Sequence, residues 1–307
     1  MTIGRFGLRR RDYEFPPFRP PSEADSLLLR VTRGCPWNRC TFCSMYKTMK
    51  FEVRSLKEIQ SDIELAKELY GERIRTVFIG DSNSLIVKTE VLVRVLEFLR
   101  SSFPHIERVT SYARAKTIAQ KPLEDLIKIY QTGLTRLHVG LETGDRDLLN
   151  EIKKGATPEE MIEGGKKAKQ AGFEYSLYVL LGIGGEERWE KHAKGTAEVL
   201  NQIDPHFIRV RTLIPQPESL LFDAMEEGGF QSASPETILK ETKQLLEELH
   251  VTSQFVSDHV SDLLPLHGKL PEEKERMIQM IDDALGSLKE DDLLAEEMEM
   301  RRHLTNL

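Results

Sequence analysis

Six times between Ser26 and Pro215 a strand-length apolar run is followed by a stretch with helical spacing. The runs fall at residues 27–32, 74–80, 107–112, 136–142, 174–182 and 207–214, several rich in Val, Ile, Phe or Tyr and closed by Gly, Asp, Ser or Pro. Between them apolar residues recur every three to four positions, as in Leu56-Ile59-Ile63-Leu65-Ala66-Leu69 and Val91-Leu92-Val95-Leu96-Leu99. Gly71, Gly133 and Gly172 stand where helices should stop, and Thr157-Pro158-Glu159-Glu160 opens one with a cap and an early proline. Strand-then-helix units in series require a parallel sheet with helices outside it, and right-handed crossovers curl that sheet toward a barrel. Six units fall short of eight, so the expected fold is α/β, a partial (β/α)6 barrel open on one side over residues 26–215. Its chemistry should gather where the strands end.

The flanks read differently. Residues 1–25 hold Arg9-Arg10-Arg11 and then Phe15-Pro16-Pro17-Phe18-Arg19-Pro20-Pro21. Proline denies this segment a helix or a place inside a sheet, so an irregular arm over the surface is expected, its arginines a solvated charge cluster. After Pro215 the alternation stops. Residues 216–307 read as a C-terminal helical extension, with helices over 234–250 and 271–289, a connection containing Pro265 and Gly268, and a charged tail past Leu288.

Composition limits the partners. No run approaches 18 apolar residues, so no transmembrane helix is expected. Met1 to Arg11 is basic without an apolar stretch behind it, which leaves a cytoplasmic location as the expectation. A formal net charge of −7 gives no support to nucleic acid as a partner.

The three cysteines, Cys35, Cys40 and Cys43, all lie in Arg33-Gly34-Cys35-Pro36-Trp37-Asn38-Arg39-Cys40-Thr41-Phe42-Cys43, just after the first strand. Three thiols so close make no disulfide framework. Soft thiolates select zinc, copper(I) or iron–sulfur clusters. Structural zinc closes with four ligands, and the nearest histidine in sequence is His105. A cubane on three thiolates leaves one iron open, a chemically purposeful arrangement. Zinc, or buried structural thiols, is the other reading of the same residues.

Three cysteines in one loop after the first strand of six βα units resemble the radical S-adenosylmethionine superfamily, in its elongator-like and methylthiotransferase-like members. The usual spacing there is three residues and then two; here four (Pro36 to Arg39) and then two separate the cysteines, a departure that leaves the subgroup unassigned. The resemblance implies that Cys35, Cys40 and Cys43 hold a [4Fe–4S] cluster whose fourth iron chelates S-adenosylmethionine. Reduction then cleaves the cofactor to a 5′-deoxyadenosyl radical that takes hydrogen from substrate. It also implies a reducing partner such as flavodoxin or ferredoxin.

Further positions follow from the same resemblance. Phe42 would pack near the adenine, or else serve as a core aromatic. Gly80 in Phe78-Ile79-Gly80-Asp81-Ser82-Asn83 falls at the turn that cradles the methionine ammonium, and Asp81, in place of the usual second glycine, would itself accept from that ammonium; a plain strand-to-helix turn, with Asp and Asn satisfying the backbone, is the alternative. Glu142 in His138-Val139-Gly140-Leu141-Glu142 would contact the cofactor, or form a salt bridge to a strand-end arginine such as Arg114. Lys154 falls where relatives pair an arginine with the methionine carboxylate, or is a solvated helix-end lysine. Gly182 and Ile183 match the adenine-contacting turn. Gly182-Ile183-Gly184-Gly185-Glu186 lacks the spacing of a dinucleotide loop, which argues against a nicotinamide cofactor.

Two features stay open. Arg209 and Arg211 share one face of the sixth strand, either inside the barrel beside substrate or as an exterior pair. Ser257 to Gly268 is expected to lie against the barrel mouth, where His259, with a pKa near neutrality, would act on substrate as donor or proton carrier; a surface histidine beside Asp258 is the bland reading. With thiols for a single cluster, sulfur donation and cysteine-borne methyl transfer are disfavoured. A non-catalytic iron–sulfur electron-transfer or cluster-carrier protein is the alternative function, and a zinc-dependent RNA-binding protein a distant third.

Overall fold

The computed structural model describes residues 18–290 together with Met298 and Met300. The Arg9–Arg11 cluster and the charged tail beyond residue 290 lie outside these described residues. Eight strands form one sheet whose order follows the chain: β1 (Leu27–Arg30), β2 (Thr76–Gly80), β3 (Arg108–Ala113), β4 (Arg136–Glu142), β5 (Glu174–Leu181), β6 (Phe207–Thr212), β7 (Gln254–Val256) and β8 (His267–Lys269). The pairs β1–β2, β2–β3, β3–β4, β5–β6 and β6–β7 are parallel, and β8 returns antiparallel on β7. The chain is α/β, and its parallel sheet is that of a partial barrel. The connection expected between the two late helices thus carries two short strands that prolong the sheet.

The helices are α1 (Leu56–Tyr70), α2 (Thr89–Ser102), α3 (Ala115–Gln120), α4 (Leu123–Thr132), α5 (Arg146–Glu151), α6 (Pro158–Gln170), α7 (Gly185–Ile203), α8 (Leu220–Glu226), α9 (Pro235–Glu248) and α10 (Lys274–Glu290). Two compact units are drawn from interleaved stretches. One takes the residues up to Asn38, Met45–Val139 and Gly164–Tyr175; the other takes Arg39–Ser44, Gly140–Glu163 and Ser176 onward.

In the first unit the strands are buried on both faces, with Leu27, Leu29, Val77, Phe78, Ile79 and Val109 all but fully enclosed, as parallel strands between helices must be. Helix α1 opens with a reciprocal capping box, in which the Ser55 side chain accepts from the Glu58 N–H and the Glu58 carboxylate accepts from the Ser55 N–H. Helix α4 stops at Gly133, whose φ of +118° only glycine adopts freely and whose absent Cβ leaves room for Arg100. The expected surface arm is corrected at its end. Pro21–Glu23 is a 3-10 turn, and Glu23 is fully buried, accepting from Ser26 Oγ at 2.6 Å and Arg108 Nη2 at 3.4 Å, with His138 Nε2 3.4 Å away. Burial works against its charge, but these partners outweigh it and hold the carboxyl below its ordinary value.

In the second unit β6 alternates. Ile208 and Val210 are buried on one face, while Arg209 and Arg211 take the other, beside Tyr178 of β5. Thr196 of α7 accepts the Gly144 N–H at 2.9 Å, and the backbones approach so closely that a Cβ on Gly144 would meet the Gly195 carbonyl oxygen at 2.1 Å.

Candidate functional site

The cysteine loop leaves β1 through Gly34, whose backbone is clamped from the turn after β2. Asp81 accepts from the Gly34 N–H at 2.9 Å, and Ser82 Oγ donates to the Gly34 carbonyl at 2.9 Å. The other Asp81 oxygen accepts from Arg30 Nε at 3.1 Å, both side chains being buried. Burial pushes the Asp81 carboxyl above its ordinary value, against the pull of Arg30 and Gly34. Asp81 therefore spends both oxygens on holding the loop's entry, as the backbone-satisfying alternative had it, where the resemblance implied acceptance from the cofactor's ammonium. Beside Gly80 the space is open, since an added Cβ would touch only Leu28 Cδ1 at 3.7 Å. Cys35 Sγ accepts the Asn38 N–H at 3.4 Å.

Within the second unit the middle of the loop is tied down by its backbone. The Thr41 N–H donates to the Ile152 carbonyl at 3.0 Å, and the Thr41 carbonyl accepts the Leu221 N–H at 3.0 Å. Phe42 packs on a cluster of Leu148, Ile152, Ile183, Leu213 and Leu221, with Leu180 and Phe230 beside it. The structure thus brings together Phe42 and Ile183, two positions expected at an adenine, though the Ile183 side chain is spent inside the cluster. None of the three cysteines is in a disulfide, and all are partly exposed.

Glu142 and Lys154 meet. Lys154 Nζ donates to Glu142 Oε1 at 2.6 Å and stands 6.0 Å from the centre of the Phe42 ring. The salt bridge foreseen for Glu142 forms with Lys154, not Arg114, which lies over the Trp37 ring in the first unit. Glu142 also adopts a φ of +64°, a conformation that costs a non-glycine residue about 1–2 kcal/mol. Such strain at the end of a strand points to function rather than folding. The carboxylate folds back over Gly140, where a Cβ would lie 2.0 Å from Glu142 Oε1 and 2.8 Å from Lys154 Nζ.

Gly182, at φ +78°, turns the chain after β5, and its N–H is shared between both oxygens of Glu241 at 3.1 Å. Glu241 is fully buried on α9, with His192 Nε2 of α7 3.1 Å away. A second carboxylate, Glu186 of α7, accepts from the Ser234 N–H at 2.7 Å and Thr237 Oγ1 at 2.6 Å. Sequence reasoning missed Glu241, yet a signal existed: it sits among Ile238, Thr242 and Leu245 on the helix's buried face.

Asp258, just past β7, accepts from Arg209 Nη1 and Arg211 Nη1, each at 2.9 Å. Burial opposes its charge, but Arg211 and Arg209 outweigh it and hold its carboxyl below the ordinary value. Asp262 accepts the N–H groups of Thr212 at 3.1 Å and His259 at 3.1 Å; burial pushes it up to about 6. His259 does not carry the near-neutral pKa expected of it. Burial and the nearby Arg211 lower it to about 4, so the ring is neutral at pH 7. Its Nδ1 accepts from the Ser261 N–H at 3.2 Å with Ser261 Oγ at 2.8 Å, which leaves the remaining proton on Nε2.

Residues 29–194 match the model of the Radical SAM superfamily. The chain belongs to the radical SAM superfamily. It is 22% identical over 156 residues to the heme chaperone HemW of Bacillus subtilis, covering 50% of this chain and 41% of that protein. It is 25% identical over 203 residues to the uncharacterized methyltransferase PH0819 of Pyrococcus horikoshii, covering 64% and 41%. The chain thus spans about two-fifths of the length of these curated relatives. Among solved structures, coproporphyrinogen III oxidase HemN from Escherichia coli superposes with a TM-score of 0.56 at 16% identity, over 73% of this chain and 52% of that one. Methylornithine synthase PylB gives 0.52 at 15%, over 83% and 68%. At such identities the likeness is one of fold.

Radical SAM enzymes use a [4Fe–4S] cluster and S-adenosylmethionine and need a reductant. The loop fits the cluster as a donor set: three thiols outside any disulfide, that of Cys35 accepting a backbone N–H. Among the described residues no three His, Cys, Asp or Glu side chains stand close enough together to hold a metal ion, so the fit is one of chemistry, not preformed geometry. No helix among the described residues is long and apolar enough to cross a membrane.

Proposed function

We propose that the chain is a radical SAM enzyme in which Cys35, Cys40 and Cys43 hold the cluster. When bound, cluster and cofactor together supply a 5′-deoxyadenosyl radical able to take hydrogen from a carbon centre. The protein's own part is placement and exclusion of water. Asp81 and Ser82 fix the loop at Gly34, and the backbone of Thr41 fixes it again after Cys40. Gly80 gives an ammonium close access to backbone. Glu142 and Lys154, of opposite charge, are matched to the ammonium and carboxylate of the cofactor and neutralise each other without it. Gly182 shapes the turn after β5, its N–H held by Glu241 and its carbonyl accepting the Gly185 N–H at 3.0 Å. His259 serves as a neutral donor through Nε2. A flavodoxin or ferredoxin would deliver the electron, in a cytoplasmic setting.

The observation that carries this reading is the double clamp on a loop that carries every cysteine of the chain. A merely structural loop has no need of three partly exposed thiols outside any disulfide, with a buried ion pair fixing its entry. The test is anaerobic reconstitution followed by reduction with S-adenosylmethionine present. About four iron and four sulfide per chain are expected, with 5′-deoxyadenosine and methionine released. Cys35→Ala, Cys40→Ala and Cys43→Ala should each abolish release. Absence of cofactor binding and of methionine would leave only an electron or cluster carrier. Hemin titration belongs in the same experiment because a relative bears the name heme chaperone; stoichiometric hemin binding without cofactor cleavage would replace catalysis with carriage.

A further inference from the structure

The arginines of β6 are neither an exterior pair nor fully satisfied. Arg209 is only 5% exposed, and Arg211 lies with its guanidinium carbon 5.2 Å from the centre of the Tyr178 ring. Asp258 takes one nitrogen of each fork, and Arg211 Nη1 also donates to the Val210 carbonyl at 2.8 Å. The second carboxylate nearby, Asp262, stands 3.8 Å from Arg211 Nη1 and has both oxygens occupied by backbone N–H groups. Arg209 Nε and Arg211 Nη2 remain buried with no acceptor. A guanidinium keeps its charge at every accessible pH, so these N–H groups cannot escape their desolvation by titrating. Only an oxygen-bearing partner relieves them.

Position gives that partner a meaning. Arg211 is the penultimate residue of β6, and β5 runs parallel beside it, Tyr178 paired with Arg209 and Leu180 with Arg211. The pair therefore lies toward the strand ends, where barrel enzymes collect their substrates. Two residues apart on one strand face, the forks are spaced so that one carboxylate, that of Asp258, already bridges them. The nitrogens left without an acceptor, Arg209 Nε and Arg211 Nη2, belong to these same two forks.

We propose that Arg209 and Arg211 form the oxyanion-recognition site for the substrate, which carries a carboxylate or a phosphate, with Asp258 holding the two forks in register. This rests on the radical SAM reading for its link to catalysis, but the anion site stands on its own geometry. Tyr178 and the neutral His259 add no negative charge there; the carboxylates facing the forks are Asp258 and, 3.8 Å from Arg211 Nη1, Asp262.

The test uses the full-length, cluster-reconstituted chain with S-adenosylmethionine bound, titrated calorimetrically with inorganic phosphate and separately with succinate. One saturable site is expected, and which anion binds more tightly distinguishes phosphate from carboxylate. R211L should weaken binding tenfold or more. R211K, which keeps the charge and loses the fork, should weaken it less. D258N should tighten it several-fold, because the competing carboxylate is gone; an ion pair of purely structural purpose predicts no such gain. R211K and D258N keep the test informative where R211L fails to fold. Three results would overturn the proposal: no saturable binding of either anion by wild type and D258N, binding insensitive to R211L and R211K, or an equal loss of S-adenosylmethionine affinity in R211L, which would give the arginine to the cofactor's own carboxylate. Cleavage of S-adenosylmethionine by the wild type, measured separately, reports on the radical reading alone.

Discussion

His259 and Asp262 titrate in the same pH window with opposite consequences for stability. The His259 pKa falls from 6.5 to about 4 on folding. Its contribution is therefore fully present above pH 6.5 and is lost as pH drops toward 4, because the unfolded chain binds the proton first. The Asp262 pKa rises from 3.8 to about 6. Its contribution is present below pH 3.8 and is lost as pH climbs through 6. At about 1.4 kcal/mol per pH unit the ceiling is about 3 kcal/mol for each group. His259 is only half-buried, and solvent screening brings its share to about 1–2 kcal/mol. Between pH 4 and 6 the native chain holds a proton on Asp262 that the unfolded chain holds on His259, so the pair contributes almost no net pH dependence. Single substitutions unmask each partner. The stability difference between wild type and H259N should shrink by about 1–2 kcal/mol as pH falls from 6.5 to 4. That between wild type and D262N should shrink by about 2–3 kcal/mol as pH rises from 4 to 6. Urea unfolding of the cluster-free chain, followed by circular dichroism at constant ionic strength, measures both without acid loss of the cluster. Other carboxylates titrate in this range, so the comparison is always against wild type. Parallel curves for all three proteins, or slopes of the same sign, would refute the reasoning.

Other outcomes follow from single contacts. Asp81→Ala leaves the buried Arg30 charge without its carboxylate and should cost about 3–5 kcal/mol of stability, with less iron incorporated per chain; thermal melting and iron analysis check both. Gly140→Ala places a methyl where Glu142 Oε1 lies, which should swing the side chain off Lys154, leave the fold intact and weaken S-adenosylmethionine binding in an equilibrium assay. Gly144→Ala meets a backbone carbonyl that cannot swing aside, and a loss of about 1–3 kcal/mol in urea unfolding is expected.

The six strands of the repeat were legible because each is long enough for its apolar run to stand out, and β4 spans the residues expected of it, 136–142. β7 and β8 were not, because three residues carry no periodicity; of Gln254, Phe255 and Val256 only Phe255 is fully buried. The site divides the same way. The cysteine loop announces itself by residue type and spacing. The partners of its clamp do not, since Asp81 meets Arg30 across 51 positions through the register of β1 on β2, which no local pattern encodes. The Glu142–Lys154 pair lies 12 positions apart and needs the unusual backbone at Glu142, a conformation that sequence assigns to glycine first.

The Glu241 hydrogen bond sets a lower bound on the chain that can fold cleanly. Judged by the repeat, the barrel is complete at Pro215, and truncation there would look harmless. Yet removal of α9 would take from the Gly182 N–H its Glu241 acceptor and uncover the side of the turn against which Ile238 packs. It would also release Glu186 from the Ser234 and Thr237 groups that absorb its charge. A fragment ending after β6 should therefore be less stable than one that keeps α9, a difference that urea unfolding of the two measures.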